Sequence, residues 1–367
     1  MTDDARPHGM LGRVQEATRL TRAGRLHDAT ALIQRTLRGA RDGGDPVRPA
    51  WTTGTAAPTR VASTVVRTER TGGAAPPSSP PGSATTTSGR FVSESLTTGA
   101  GTRAYKVFVP GAPSATPMPL LVMLHGCTQD ADDFAAGTRM NALAERHAFV
   151  VVYPEQSRQA NPSRCWNWFE PADQRRDRGE PSLVADIART VMASAHVDPT
   201  RVHVAGMSAG GAMAAILGAV HPDLFAAIGV HSGLAHGAAT DLPSALQAMK
   251  QGGAGAARTG PGTPTIVFHG DHDRTVHRGN AEQVLRQATA HVPHPLLTVH
   301  ERAGGGRDAT RYVYRAPDGT TLAEGWSVHG LGHAWSGGDP AGSHTDQAGP
   351  DASAEMLRFF GEHPHRG

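Results

Sequence analysis

Cysteine is nearly absent from this chain. Two residues, Cys127 and Cys165, stand in 367. That excludes a disulfide scaffold and a four-cysteine zinc site, and leaves at most one bridge. Lysine is as scarce, with only Lys106 and Lys250, so arginine carries nearly all the positive charge. Aromatic residues make up 5% of the chain. No apolar run approaches the ~18 residues that a transmembrane helix needs. The opening MTDDARPHGMLGRV carries acids and no continuous apolar segment, so no secretory signal is seen and a cytoplasmic location is expected. Charge of one sign is also lacking. The net charge is +2, from 35 basic and 33 acidic residues, which is too balanced for an obligate nucleic-acid binder.

Glycine (44) and proline (27), in contrast, are plentiful, and the excess is local. Residues 39–89, including TGGAAPPSSPPGSATTTSG at 71–89, offer almost nothing to pack and are read as a disordered linker. Before it, residues 10–38 place Val14, Ala17 and Thr21, then Ala29, Leu32 and Ile33, at helical spacings around a break at Gly24. This predicts a helical hairpin over 1–38. One such unit cannot bury its own apolar face. It is expected to be a docking or solubility appendage, with a protein or granule-surface partner as the alternative.

From residue 90 to 367 the pattern becomes that of a single α/β domain. Phe91–Leu96 and Arg103–Val109 alternate like antiparallel strands. Short apolar strands follow at Leu120–Leu124, Phe149–Tyr153, Arg201–Ala205, Phe225–Val230, Thr265–Phe268 and Trp326–His329. Helices fit 132–147, 182–195, 209–220, 280–290 and 350–362 between them, with an edge pair at Leu297–Glu301 and Arg311–Tyr314. Alternating strands and helices predict a mostly parallel sheet covered on both faces.

Gly206-Met207-Ser208-Ala209-Gly210 lies between an apolar strand and an Ala-rich helix, the setting of a nucleophile elbow. Side chains at 206 and 210 would collide with the neighbouring strand and helix, and Ser208 must take a strained turn that lifts its hydroxyl above the sheet. A serine needs a base, and that base a carboxylate, in the chain order Ser, acid, His. After Thr265–Phe268 come His269-Gly270-Asp271-His272-Asp273, where Asp273 is the chosen acid and Asp271 a loop-capping runner-up. After Trp326–His329 comes Gly330-Leu331-Gly332-His333. His333, in a glycine-flanked loop, is the chosen base, whereas His269 and His329 are read as structural. The oxyanion donors are expected to be the backbone N–H groups of Ala209 and Cys127. The Asp271/His272/Asp273/His277 group matches no metal-binding spacing, so neither a metal nor a cofactor is expected.

His125-Gly126-Cys127-Thr128-Gln129, Cys165-Trp166-Asn167-Trp168, Gly206–Gly211 and Gly332-His333-Ala334-Trp335, in that order, resemble the esterase family of poly(3-hydroxybutyrate) depolymerases. That family also includes feruloyl and acetylxylan esterases. The resemblance covers about residues 91–362. It implies an α/β-hydrolase fold, the Ser208, Asp273 and His333 triad, oxyanion donors at Cys127 and Ala209, and a Cys127–Cys165 bridge. It also implies ester substrates, and an extracellular alternative for the location. Trp166, Trp168 and Trp335 sit in loops expected near the site, where rings could cradle an acyl chain or a phenolic ring. The other reading of each is core packing. A non-catalytic binding protein on the same fold is the alternative of another class.

Overall fold

A computed structural model describes residues 64–66 (backbone only), 89–111, 116–253, 262–303 and 306–365. The predicted hairpin over 10–38 lies outside them. So does most of 39–89, but Thr64–Val66 forms a strand (β1).

The chain then builds β2 (Arg90–Thr98), β3 (Gly101–Val109) and β4 (Met118–Leu124), followed by helices α1 (Ala131–Thr138) and α2 (Met140–His147). Next come β5 (Val150–Pro154), α3 (Gly179–Ser194), β6 (Val197–Met207), α4 (Ala209–Val220), β7 (Ala227–His231) and α5 (Leu242–Gln251). β8 (Thr265–Gly270), α6 (Gly279–Thr289), β9 (Leu296–Arg302), β10 (Ala309–Arg315), β11 (Thr321–Val328), a two-residue pair β12 (Trp335–Ser336) and β13 (Thr345–Asp346), and α7 (Ala352–Gly361) complete it.

Among the described residues eleven strands form one sheet in the order β1-β9-β10-β11-β8-β7-β6-β4-β5-β3-β2. Its centre, from β5 to β11, is parallel, with Leu120 opposite Val150 and Val202, and Ile228 opposite Thr265. The flanks β2/β3, β3/β5, β10/β11 and β9/β10 are antiparallel. β1 joins β9 in parallel, with Val65 opposite Val299. The reading of 39–89 as linker therefore does not hold for these three residues.

Strand alternation divides the core in two. Leu120, Val122 and Leu124 of β4 pack under α3 and α4 with Val184, Ile187 and Ile216. Leu121 and Met123 face the other way, toward Phe134, Met140 and Phe359 of α1, α2 and α7. Each such side chain stabilises the fold by roughly 1.5–3 kcal/mol relative to exposure. Buried on both faces, the parallel strands are the continuous apolar runs that the sequence presents.

The helix expected over 132–147 is two helices, because Arg139 adopts left-handed dihedrals (φ 55°) between them. Helix α5 was not anticipated. Asp241 caps it by accepting from Ser244 N at 2.8 Å, while the Ser244 side chain returns to the Asp241 backbone.

Candidate active site

The carboxyl ends of β4, β6, β7, β8 and β11 carry the candidate residues. Ser208 follows β6 directly and has φ 57° and ψ −119°, a strained conformation for a non-glycine residue. Its N–H donates to His231 O at 2.9 Å. The elbow can close only because two neighbours lack side chains. A Cβ on Gly206 would strike the Gly210 backbone, and one on Gly210 would strike the carbonyl of Leu124 at the end of β4. Ser208 itself is half-buried, at the N-terminus of α4, where unpaired backbone N–H groups favour negative charge.

Asp273 sits in the turn after β8. Its Oδ1 accepts from Thr275 N at 2.8 Å and Val276 N at 2.9 Å, and its Oδ2 accepts from His333 Nδ1 at 2.7 Å. Burial alone would raise its pKa. The hydrogen bond and charge of His333, the nearby His269 ring and the Val276 N–H outweigh it and hold the carboxyl at about 2. Its side chain has no exposed surface, while that of His333 keeps 15%.

Asp271, the runner-up for the acid, caps the neighbouring loop, Oδ1 accepting from Gly330 N at 2.7 Å. His269 is buried and donates from Nε2 to Val276 O at 2.8 Å. His329 falls just past β11 and is exposed rather than packed. Its Nε2 pairs with Thr310 Oγ1 at 3.0 Å.

In sheet order β11 lies three strands from β6, so His333 must be carried back over roughly 14 Å of sheet edge. Hydrogen bonds trace that return. His272 N donates to Leu331 O at 3.1 Å over the end of β8, and Ser336 N donates to His231 Nε2 at 3.0 Å at the end of β7. Asp273 and His333 are thereby joined, and the loop ends beside the strand that abuts Ser208. Among the described residues no hydrogen bond links the Ser208 hydroxyl to the His333 ring.

The loop after β4 passes next to the serine: a Cβ on Gly126 would lie 3.6 Å from Ser208 Cβ. Four ties hold that loop. Gly126 N donates to Gln129 Oε1 at 2.9 Å, and Thr128 N to Ser163 O at 2.7 Å. Trp166 Nε1 donates to His125 O at 3.2 Å, and Cys127 is bonded to Cys165, Cα–Cα 4.2 Å. His125 accepts from Gln156 N on Nε2 at 3.1 Å, so its proton is on Nδ1, which donates to Gly126 O at 2.7 Å. Burial lowers its pKa to about 4 and keeps it neutral. Among the described residues, no protein acceptor takes the N–H of Cys127 or Ala209.

The three tryptophans are placed differently from the substrate-binding expectation. Trp166 is 0%, Trp335 1% and Trp168 6% exposed. Trp166 braces the β4 loop. Trp335 donates to Ser353 Oγ at 3.1 Å and packs edge-on against Phe134. Trp168 packs edge-on against Phe169. Each ring is buried against its neighbours.

Sequence reasoning missed Gln129 and His231. Gln129 stands within a quoted motif, but nothing local marks its side chain as a loop brace. His231 is one of 20 histidines and ends a strand adjacent to the nucleophile strand. Only strand order could have singled it out. Among the described residues no cluster of His, Cys, Asp and Glu could hold a metal ion, and no helix is long and apolar enough to cross a membrane.

The chain matches the Esterase PHB depolymerase family over residues 103–311, more than half its length. It belongs to that family. The matched span holds Cys127, Cys165, Ser208 and Asp273. Poly(3-hydroxyalkanoate) depolymerase C of Paucimonas lemoignei is 34% identical over 60% of this chain and 56% of its own length. Feruloyl esterase B of Neurospora crassa is 29% identical over 67% of this chain and 84% of its own. The chain thus spans little more than half of that depolymerase. Among solved structures, an acetyl xylan esterase from Aspergillus awamori superposes with a TM-score of 0.56 at 19% identity, covering 74% of this chain and 99% of the other. The fold is that of the α/β-hydrolases.

Proposed function

We propose that this chain hydrolyses carboxylic esters through Ser208, His333 and Asp273, by way of an acyl-enzyme. The observation that carries the reading is the 2.7 Å hydrogen bond between His333 Nδ1 and a buried, ionised Asp273, on a loop drawn back toward the strained Ser208 turn. An ionised carboxylate can only accept, so the proton of a neutral His333 sits on Nδ1 and Nε2 offers its lone pair. In this reading the Ser208 hydroxyl donates to that lone pair in the reacting complex, a hydrogen bond often open in free enzymes.

Ser208 Oγ then attacks the ester carbonyl while His333 takes its proton. Asp273 stabilises the imidazolium, and the N–H groups of Cys127 and Ala209 bind the oxyanion. His333 returns the proton to the leaving alcohol, and water repeats the sequence on the acyl-enzyme.

Hydroxyalkanoate esters, poly- or oligo(3-hydroxybutyrate) among them, are the preferred substrates, in line with the similarity to the P. lemoignei depolymerase. Plant cell-wall esters are the second reading, favoured by the longer match to the feruloyl esterase and the superposition on the acetyl xylan esterase. The Cys127–Cys165 bridge favours an oxidising compartment, hence the extracellular alternative to a cytoplasmic location.

Side-by-side turnover of 3-hydroxybutyrate oligomers, methyl ferulate and acetylated xylan separates the two substrate readings. Ser208→Ala should lower kcat on a short p-nitrophenyl ester by about 10⁵–10⁶. A variant that keeps wild-type turnover ends the serine mechanism.

A further inference from the structure

His231 closes β7, between the nucleophile strand β6 and the acid strand β8. Its backbone carbonyl accepts the Ser208 N–H at 2.9 Å, and its ring Nε2 accepts the Ser336 N–H at 3.0 Å. The ring lies between Phe268 (centroids 5.8 Å) and Trp335 (4.9 Å), nearly parallel to both. A backbone N–H can only donate, so Nε2 is unprotonated and the proton lies on Nδ1, directed to Ser232 Oγ at 3.2 Å. The ring is fully buried, and burial brings its pKa to about 3, so it is neutral around neutral pH.

The loop that carries His333 is anchored at both ends. At its start, Gly330 N is held by Asp271 and Leu331 O by His272 N. At its end, Ser336 N is held by His231, with Trp335 stacked on the same ring. His333 hangs between these anchors.

We propose that His231 is a positioning residue for ester hydrolysis: its carbonyl fixes the turn that presents Ser208, and its ring fixes the loop that presents His333, so one rigid residue sets the separation of nucleophile and base. This rests on the triad reading given above. It assigns the ring a geometric task and no proton transfer. A hydroxyl and an imidazole that must meet at ~3 Å tolerate little slack, and a misplacement of about 1 Å can cost on the order of 10²-fold in rate.

The test compares two amides in the full chain. In His231→Gln the side-chain oxygen reaches the place of Nε2 and can accept from Ser336 N. In His231→Asn it stops near the place of Nδ1 and cannot. Both lose the ring stacking equally, so a role in packing alone would affect them alike. With a short p-nitrophenyl ester, and rates corrected for the folded fraction, His231→Asn should lower kcat by about tenfold or more while KM stays within about twofold. His231→Gln should keep kcat within about threefold of wild type. Wild-type kcat in His231→Asn, or an equal fall in both variants, overturns the proposal.

If neither variant folds, long-range proton–nitrogen spectra of the wild-type protein decide. A ring protonated on Nδ1 alone supports the role, and a protonated Nε2 rejects it. Ser208→Ala run in parallel separates the two levels. Loss there with no loss in His231→Asn rejects the positioning role alone, whereas retained activity in Ser208→Ala rejects the triad and this proposal with it.

Discussion

Asp273 shows how one side chain can fix the state of another. Its two oxygens have separate tasks: Oδ1 takes two backbone N–H groups of its own turn, and Oδ2 takes the His333 proton. In Asp273→Asn the amide oxygen would keep the turn, so the amide nitrogen would face the imidazole. A facing donor forces the opposite tautomer on His333, with the proton on Nε2, where it blocks removal of the serine proton. The expected loss is about 10⁴ in kcat with KM little changed, and steady-state kinetics on a short ester measure it. A variant within tenfold of wild type would mean that Asp273 does not orient the base. The candidates Ser208, Asp273 and His333 stand out in the sequence because strand ends, glycine neighbours and chain order all leave marks. The tryptophans could not be assigned. A large ring in a loop motif suits both a ligand platform and a brace, and only burial shows that Trp166 is taken up by the carbonyl of His125.

In the proposed mechanism the loop after β4 aims the Cys127 N–H, and its ties can be weighed against one another. The Cys127–Cys165 bridge closes a sequence separation of 38 residues, for which restriction of the unfolded chain gives about 4 kcal/mol. The Gln129 and Ser163 hydrogen bonds on either side of Cys127 survive its loss. Cys165→Ser should therefore destabilise the fold by about 2–4 kcal/mol in urea unfolding. It should lower kcat less than the 10²–10³ that loss of a whole oxyanion donor typically costs. A fall of that full size would make the bridge the sole support of the donor. Element boundaries show the same division between marked and unmarked features. Helix α4 matches its predicted range of 209–220 because the elbow and an Ala-rich run define it. Helix α5 had a signal that went unread, Asp241 before Pro243 and Ser244. The break between α1 and α2 had none, since a left-handed arginine looks like any other arginine in sequence.

Across the whole molecule, the sheet's central order follows from repeated βα units, while β1 arrives from a stretch whose composition argues against any strand, its partner chosen by the exposed edge of β9. Stability at this scale draws on a buried polar knot that binds α3, β3 and the Cys165–Trp168 segment together. Glu180, in the first turn of α3, accepts from Asn167 N at 2.7 Å and Asn167 Nδ2 at 2.8 Å, and from Gln156 Nε2. Arg103 lies 3.8 Å from it, and Asp173 accepts from the Glu180 backbone N–H at 2.7 Å. Burial and the charge of Asp173 raise the Glu180 carboxyl to about 7, against the pull of Gln156, Asn167 and Arg103. The native state therefore holds a proton that the unfolded chain, near 4.5, gives up. The resulting stability is fully present below about pH 4.5 and is lost as pH rises through 7. Urea unfolding at pH 5 and pH 8 should show wild type losing on the order of 1–3 kcal/mol from this group. Glu180→Gln cannot titrate there, so whatever it loses in hydrogen bonding it loses at both pH values. Its decline between pH 5 and 8 should be smaller than that of wild type, and parallel declines would place the Glu180 proton elsewhere.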